Sequence, residues 1–518
     1  MAGLRVSVFS LTVWILAGAP MWAQGTEWIS SHDPGSPGVT AADAYLGPAP
    51  FQVASRDGRY VVFHRDVDSS TGPADVFVRD RHLGRTELIS VSASGTAGNA
   101  RSLYPSISDD GRFVLFSSWA DNLVAADGNG SFDVFLRDRE LGQTRAISRS
   151  RFGSGTANGV SLAFALSGDG SVALFQSLAT DLVSEPTSFV ELFLADLGTG
   201  EVRMLTLGRN GIGQGISFVP APAALSDDGR RVVFTVQGDG MVADDANGQM
   251  DLFLLDRDRD EIRLLTRRLD GTGSASGGSG TLSVTPDGRY ATFQSAADDL
   301  VPDDSNGLTD VFRVDLDTGE IRLVSVDSQG RAGSGSTIFS GPPVSDSGRF
   351  VAFQSRASLL PEDTDGGAFD VYVRDLERGE SYLVSEDGAG NRDHRAMSPF
   401  LSPDGTRVGF TSHPIDGGEP SQILVRRLPD GPLRLVGGAG DRNVGFGRST
   451  PDGNEVVFFS RATHLGGGGG DDVHDVFVAP LPVGVPLTVP AASDISLLIL
   501  LSALLGFGLR SVGRNKSA

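Results

Sequence analysis

The chain has no cysteine. Disulfides, thiolate metal sites and a cysteine nucleophile are therefore excluded. Lysine is almost missing: Lys516 is the only one, and the formal net charge is −22. A surface this acidic repels phosphate backbones, so no nucleic-acid partner is expected. The shortage of lysine also removes a phosphate-binding P-loop. Tryptophan (4) and tyrosine (6) are scarce, which argues against a sugar-stacking surface. No amphipathic helical period runs between Gln24 and Pro486. The seven histidines form no i, i+4 metal pair on a helix. Gly273-Ser274-Ala275-Ser276-Gly277 has the letters of a nucleophile elbow, but it falls in a low-complexity loop with no helix to follow. No catalytic residue is assigned.

What is present is repetition. A tight turn of the type Asp57-Gly58-Arg59, Asp110-Gly111-Arg112 or Asp287-Gly288-Arg289 occurs eight times, ending with Asp452-Gly453. An alternating strand with acidic ends follows each, as in Asp75–Asp80, Asp133–Asp138, Asp310–Asp315 and Asp475–Pro480. Within the second unit the period-2 pattern predicts strands at Ser106–Ser108, Arg112–Ser117, Asp133–Asp138 and Thr144–Ser148. Asp-Gly supplies the positive φ that the first hairpin needs. Repeated four-stranded units of this size predict an all-β fold, a single β-propeller of eight blades. Seven is the alternative if the weak seventh or short eighth unit forms no proper blade. The last unit stops after its third strand. Glu27-Trp28-Ile29-Ser30 matches the fourth strand Leu323-Val324-Ser325-Val326, so it is expected to complete the eighth blade and shut the ring, removing an exposed edge.

The Ser-x-Asp-Gly-Arg-x-Val-x-Phe and Asp-Val-Phe-Val-Arg-Asp patterns resemble TolB-like propeller repeats, relatives of the WD-type family, over roughly 27–480. The resemblance implies an exported bacterial propeller. The small α/β domain that precedes the propeller in TolB has no counterpart, so the Tol–Pal role is not carried over.

Both ends carry targeting features. Arg5, the apolar run Val6–Ala19 and Met21-Trp22-Ala23 read as a signal peptide over 1–23, with a mature start near Gln24. After the propeller (24–480) come a proline-containing linker (481–494), an apolar helix at 495–509 and a basic tail at 510–518. Fifteen apolar residues are short for a full span of about 20, and the basic end would stay cytoplasmic. This end resembles PEP-CTERM and IPTL-CTERM sorting signals. It implies an exported protein of the periplasm, cell surface or extracellular space, membrane-anchored by its C-terminal helix at least transiently.

In a four-stranded meander the second and fourth connections share one face. Here they are the long ones, so a working face is expected there. The second-turn loops hold Asp127, Asn129 and Asp133; Asp245, Asn247 and Asp251; Asp304, Asn306 and Asp310; and Asp363, Asp365 and Asp370. Alternating carboxylate and amide oxygens around a glycine turn resemble part of an EF-hand loop and make these residues Ca²⁺ candidates. Asx turns that cap themselves without metal are the alternative. The expected function is a non-catalytic module binding a protein or glycan on the long-loop face. The alternative is a propeller-based hydrolase or lyase acting on extracellular polysaccharide or peptide. Charged residues converging at one end of the channel would favour the alternative.

Overall fold

The computed structural model describes residues 26–30, 44–45, 52–66, 74–153, 155–187, 189–216, 223–333, 343–364, 367–386, 394–414, 421–437, 444–460 and 475–481. The signal peptide, the C-terminal helix and the sorting motif lie outside them. Among the described residues no helix is long and apolar enough to cross a membrane.

The chain folds as an eight-bladed β-propeller of four-stranded antiparallel blades, without helices among the described residues. Blades 1 to 7 span 44–88, 102–146, 161–204, 223–264, 279–323, 344–383 and 394–437. In blade 6 the first strand is reduced, among the described residues, to a bridge between Val344 and Val351. Blade 8 combines Val444–Ser449, Glu455–Ser460 and Asp475–Pro480 with Glu27–Trp28 from the other end of the chain, in the register Glu27↔Val478 and Trp28↔Phe477. The ring closes as the sequence indicates.

In blade 2 the strands are Ser102–Ile107, Phe113–Ser118, Asp133–Asp138 and Gln143–Ala146. The first begins earlier than the alternation predicts, because a bulge between Leu103 and Ser106 shifts its register, with Tyr104 at φ 55°. Blades 5 and 7 repeat this device at Thr281 and Ser398.

The blade cores are built from one aromatic per central strand. Phe116 stacks on Phe135, Phe175 on Phe193, Phe293 on Phe312 and Phe353 on Tyr372, with ring centroids 5.3–5.8 Å apart. In blade 7 Leu424 faces Phe410, and that blade has no such pair.

The Asp-Gly turns serve packing as well as backbone conformation. Gly348 has φ +71°, and a Cβ there would lie 2.1 Å from the Tyr290 ring of the preceding blade; at Gly111 the distance to Tyr60 would be 2.2 Å. In blades 2, 3, 6 and 7 the turn glycine is thus the point where one blade seats on the aromatic of its neighbour. Gly348→Ala is expected to lower stability by about 2–4 kcal/mol, through αL strain plus overpacking. Urea unfolding of the purified protein measures it, with Gly330→Ala, at positive φ in open space, as the strain-only reference.

Candidate functional site

The acidic residue that opens each third strand is a structural clasp. Asp133 Oδ1 accepts from Ser148 Oγ at 2.7 Å, and Ser148 Oγ accepts from Val134 N at 2.9 Å. The same unit joins Asp75 to Ser90, Glu191 to Thr206, Asp251 to Thr266, Asp310 to Ser325 and Asp370 to Ser385. In blade 8 the donor is Ser30, 2.6 Å from Asp475. Blade 7 carries Gln422 and Gly437 at these positions and lacks the clasp. Burial drives Asp75, Asp133, Asp251 and Asp310 upward, Asp133 to about 7, with the hydroxyl bond pulling the other way.

The aspartate that closes each third strand works at the opposite face. Arg112 reaches Asp138 at 2.7 Å and Arg349 reaches Asp375 at 2.6 Å, within one blade, while Asp138 Oδ1 accepts from Glu140 N and Leu141 N of the third turn. These pairs fix the hairpins.

The candidate calcium loops divide into two kinds. In blade 2 every group finds a partner: Thr156 Oγ1 donates to Asp127 at 3.0 Å and Asn129 Nδ2 to Asp133 Oδ2 at 2.6 Å. In blade 6 the Tyr372 hydroxyl closes onto Asp363, and Ser385 donates to Asp370 at 2.5 Å; Asp365 lies outside the described residues. Tyr372 stands where blades 2, 4 and 5 have Phe135, Phe253 and Phe312.

Blades 4 and 5 are different. Asp245 and Asp304 are 3% and 4% exposed, and neither carboxylate makes a hydrogen bond through either oxygen. Asp251 Oδ2 is also buried and unpartnered. The cause is visible in the sequence: Thr156, Ser274 and Ala332 occupy one bridge position in successive loops. Blade 5 has lost the hydroxyl, and Ser274 Oγ accepts from Ala246 N at 3.2 Å. Burial and the charge of Asp251 push Asp245 up to about 7. Burial and the charge of Asp310 push Asp304 up to about 6, opposed by the nearby Asn306 N–H, which lies outside hydrogen-bond geometry. The asparagines serve the turn: Asn306 Nδ2 donates to Asp310 Oδ2 at 2.6 Å and to Gly333 O at 2.5 Å, while Asn306 Oδ1 accepts from Leu308 N.

A further acidic residue, absent from the predicted set, stands six positions earlier in the loops of blades 2, 4 and 5. Asp121, Asp239 and Asp298 form an Asp-x5-Asp-x5-Asp spacing with the other two. Asp239 and Asp298 accept from Gly248 N and Gly307 N at 2.6 and 3.0 Å.

Charged side chains also converge at the channel mouth formed by the first turns. Arg56 of blade 1 donates to Asp109 of blade 2 at 2.7 Å and reaches Asp227 of blade 4. Gln52 donates to Asp109 at 2.7 Å. Burial and Asp109 raise Asp227; Asp346 of blade 6, on the exposed rim, is pushed up to about 6 by its surroundings and by Asp227, against Arg56. Beside it a depression of about 440 Å³ is lined by Asp346, Asp404, Arg407, Asp452 and Asn454 of blades 6 to 8. The small residues Ala223 and Ala224 on the first strand of blade 4 are buried.

No family model and no curated protein matches the chain. Solved structures do. It is similar to an oligogalacturonate lyase in complex with manganese (14% identity, 85% of this chain and 91% of that one, TM-score 0.42). It is similar to a putative TolB from Agrobacterium tumefaciens (15%, 66% and 95%, 0.32) and to Porphyromonas gingivalis dipeptidyl peptidase 4 (12%, 82% and 58%, 0.49). At these identities the likeness concerns fold.

Proposed function

We propose that the chain is an exported, non-catalytic propeller of the bacterial envelope that binds a protein partner on the long-loop face of blades 2 to 4. The carrying observation is where large apolar side chains stand exposed. Trp119, Phe152 (74%), Leu178, Phe189 (70%), Ile212 and Leu269 all lie on second turns or blade-to-blade connections of this sector. Apolar exposure gathered on one face in this way supports a protein contact surface; of the exposed large apolar residues only Leu83 and Leu141 lie on third turns. The loops that carry it are stitched together: Arg151 N donates to Asp181 O, Arg209 N to Gly240 O and Leu269 N to Asp299 O, at 2.8–2.9 Å. The scarcity of tryptophan and tyrosine in the chain favours protein over glycan. Export rests on the signal peptide read at 1–23, and the C-terminal segment would anchor or sort the product.

The test is capture of partners from the host envelope by the immobilised ectodomain. Phe152→Asp with Phe189→Asp is expected to reduce retention of the captured protein at least tenfold with an unchanged melting curve. Equal retention by the double variant would refute this surface.

A second reading has its own observation. Charged groups of several blades meet at the channel mouth, Arg56 with Asp109 and Asp227, and this supports a hydrolase or lyase in which the nearby Asp346 would serve as general acid. Turnover of a polysaccharide or peptide substrate that disappears in Asp346→Asn would establish it.

A further inference from the structure

We propose that the second-turn loops of blades 4 and 5 each bind a hard divalent cation of the Ca²⁺ class, held by Asp245 and Asp251 in blade 4 and by Asp304 and Asp310 in blade 5. A buried carboxylate with no donor and no cationic partner is costly, and proteins resolve it by pairing or by coordinating a metal. Asp304 and Asp245 are such groups on both oxygens. The charges acting on Asp304 are those of Asp310 and Asp298; on Asp245 they are Asp251 and Asp239. All are negative, and they repeat in two adjacent blades at identical spacing.

Blade 2 provides the internal contrast. It has the same Asp-x5-Asp-x5-Asp spacing, but Thr156 supplies the hydrogen bond that blade 5, with Ala332, leaves unmade. The donor set is oxygen alone, which selects Ca²⁺ or Mg²⁺ over softer ions. Among the described residues no three carboxylate or histidine side chains enclose an ion. The protein therefore offers two carboxylates per site and leaves the rest of the shell to backbone carbonyls and water. Such a shell suits Ca²⁺, which tolerates irregular coordination, with a Kd of about 10⁻⁴–10⁻³ M, the range of extracellular modules. The inference is independent of partner docking, since neither loop pair includes Phe152 or Phe189.

Calorimetry and thermal melting of the mature protein at pH 7.5 test it. Calcium chloride at 10 mM against EDTA is expected to raise Tm by about 3–5 °C, and titration is expected to give two sites. Asp304→Asn and Asp245→Asn should each remove one site while melting in EDTA no lower than the parent, because each deletes an unpaired buried charge. The double variant should show no Ca²⁺ response. Absence of heat and of any Tm shift in the parent protein overturns the proposal, as does undiminished binding in the double variant. A larger response to Mg²⁺ than to Ca²⁺ overturns the assignment of the ion.

Discussion

A mature protein beginning at residue 31 is expected to melt about 5–10 °C below one beginning at residue 24, and to be cleaved far faster by protease at the first and eighth blades. Four residues carry this effect. Ile29 is fully buried against Val53, Val61, Val457 and Val476, worth about 2–3 kcal/mol. Its amide donates to Val476 O at 2.8 Å. Ser30 supplies the bond to Asp475, which is 6% exposed, and accepts from Val476 N. Glu27 holds Arg81 of blade 1 at 2.7 Å, alongside Glu455 of blade 8 at 2.8 Å. Without this strand a buried carboxylate loses its donor and a sheet edge opens at the seam. Ser30→Ala isolates the clasp and is expected to cost about 2 kcal/mol. Ser148→Ala removes the same bond inside an uninterrupted blade. A seam-specific role predicts that Ser30→Ala accelerates unfolding more than Ser148→Ala does, and stopped-flow unfolding in guanidinium decides it. Equal melting of the two truncations would refute the closure.

In EDTA, the carboxylate contribution to stability is expected to peak near pH 4 and to fall toward pH 8. Burial raises Asp75 and Asp133, the latter to about 7. A carboxyl whose folded value lies above its unfolded one near 3.8 binds more proton in the folded state. Its stabilising contribution is complete below the unfolded value and is lost as pH rises through the folded one. Asp80, Asp138 and Asp375 have the opposite sign, because arginine and turn amides hold them low. Their contribution is present above about pH 4 and lost as pH falls. The two groups bracket a maximum of the carboxylate contribution on the acid side, with about 1–2 kcal/mol of it lost between pH 5 and 8, and buried His64, held down to about 4, offsets part of that fall below about pH 6.5. Asp75→Asn keeps an acceptor for Ser90 and should flatten the neutral limb, measured by urea unfolding at each pH. A profile that instead rises to pH 8 would contradict the assignment.

The blade count and the ring closure were legible because both follow from period-2 strands punctuated by Asp-Gly turns. The matching of Glu27–Ser30 to Leu323–Val326 finds the right strand but is one residue out of register: Trp28 stands where Leu323 does, and Ser30 takes the place of Ser325, making the same bond to Asp475 that Ser325 makes to Asp310. The bulges at Tyr104, Thr281 and Ser398 were hidden, since an extra residue breaks the alternation that announces a strand. Glycine at the turns signalled its dihedral and concealed its contact with the neighbouring ring. The candidate metal residues were visible as a composition of loops. Which of them lack a donor depends on Thr156, Ser274 or Ala332 arriving from the next connection, a partner 28 or 29 positions away. Arg56 meeting Asp227 spans 171 positions, and no local period reports such a pair.

The seam in blade 8 has a consequence for biogenesis. Its two halves are 445 positions apart, so the nascent N-terminal strand has nothing to pair with until almost the whole polypeptide has been synthesised and delivered. Seven blades can assemble in order behind the ribosome or translocon, but the eighth is available only to an essentially full-length product. Premature termination then yields an open ring with two unpaired edges, a natural substrate for proteases, so quality control of length is built into the join.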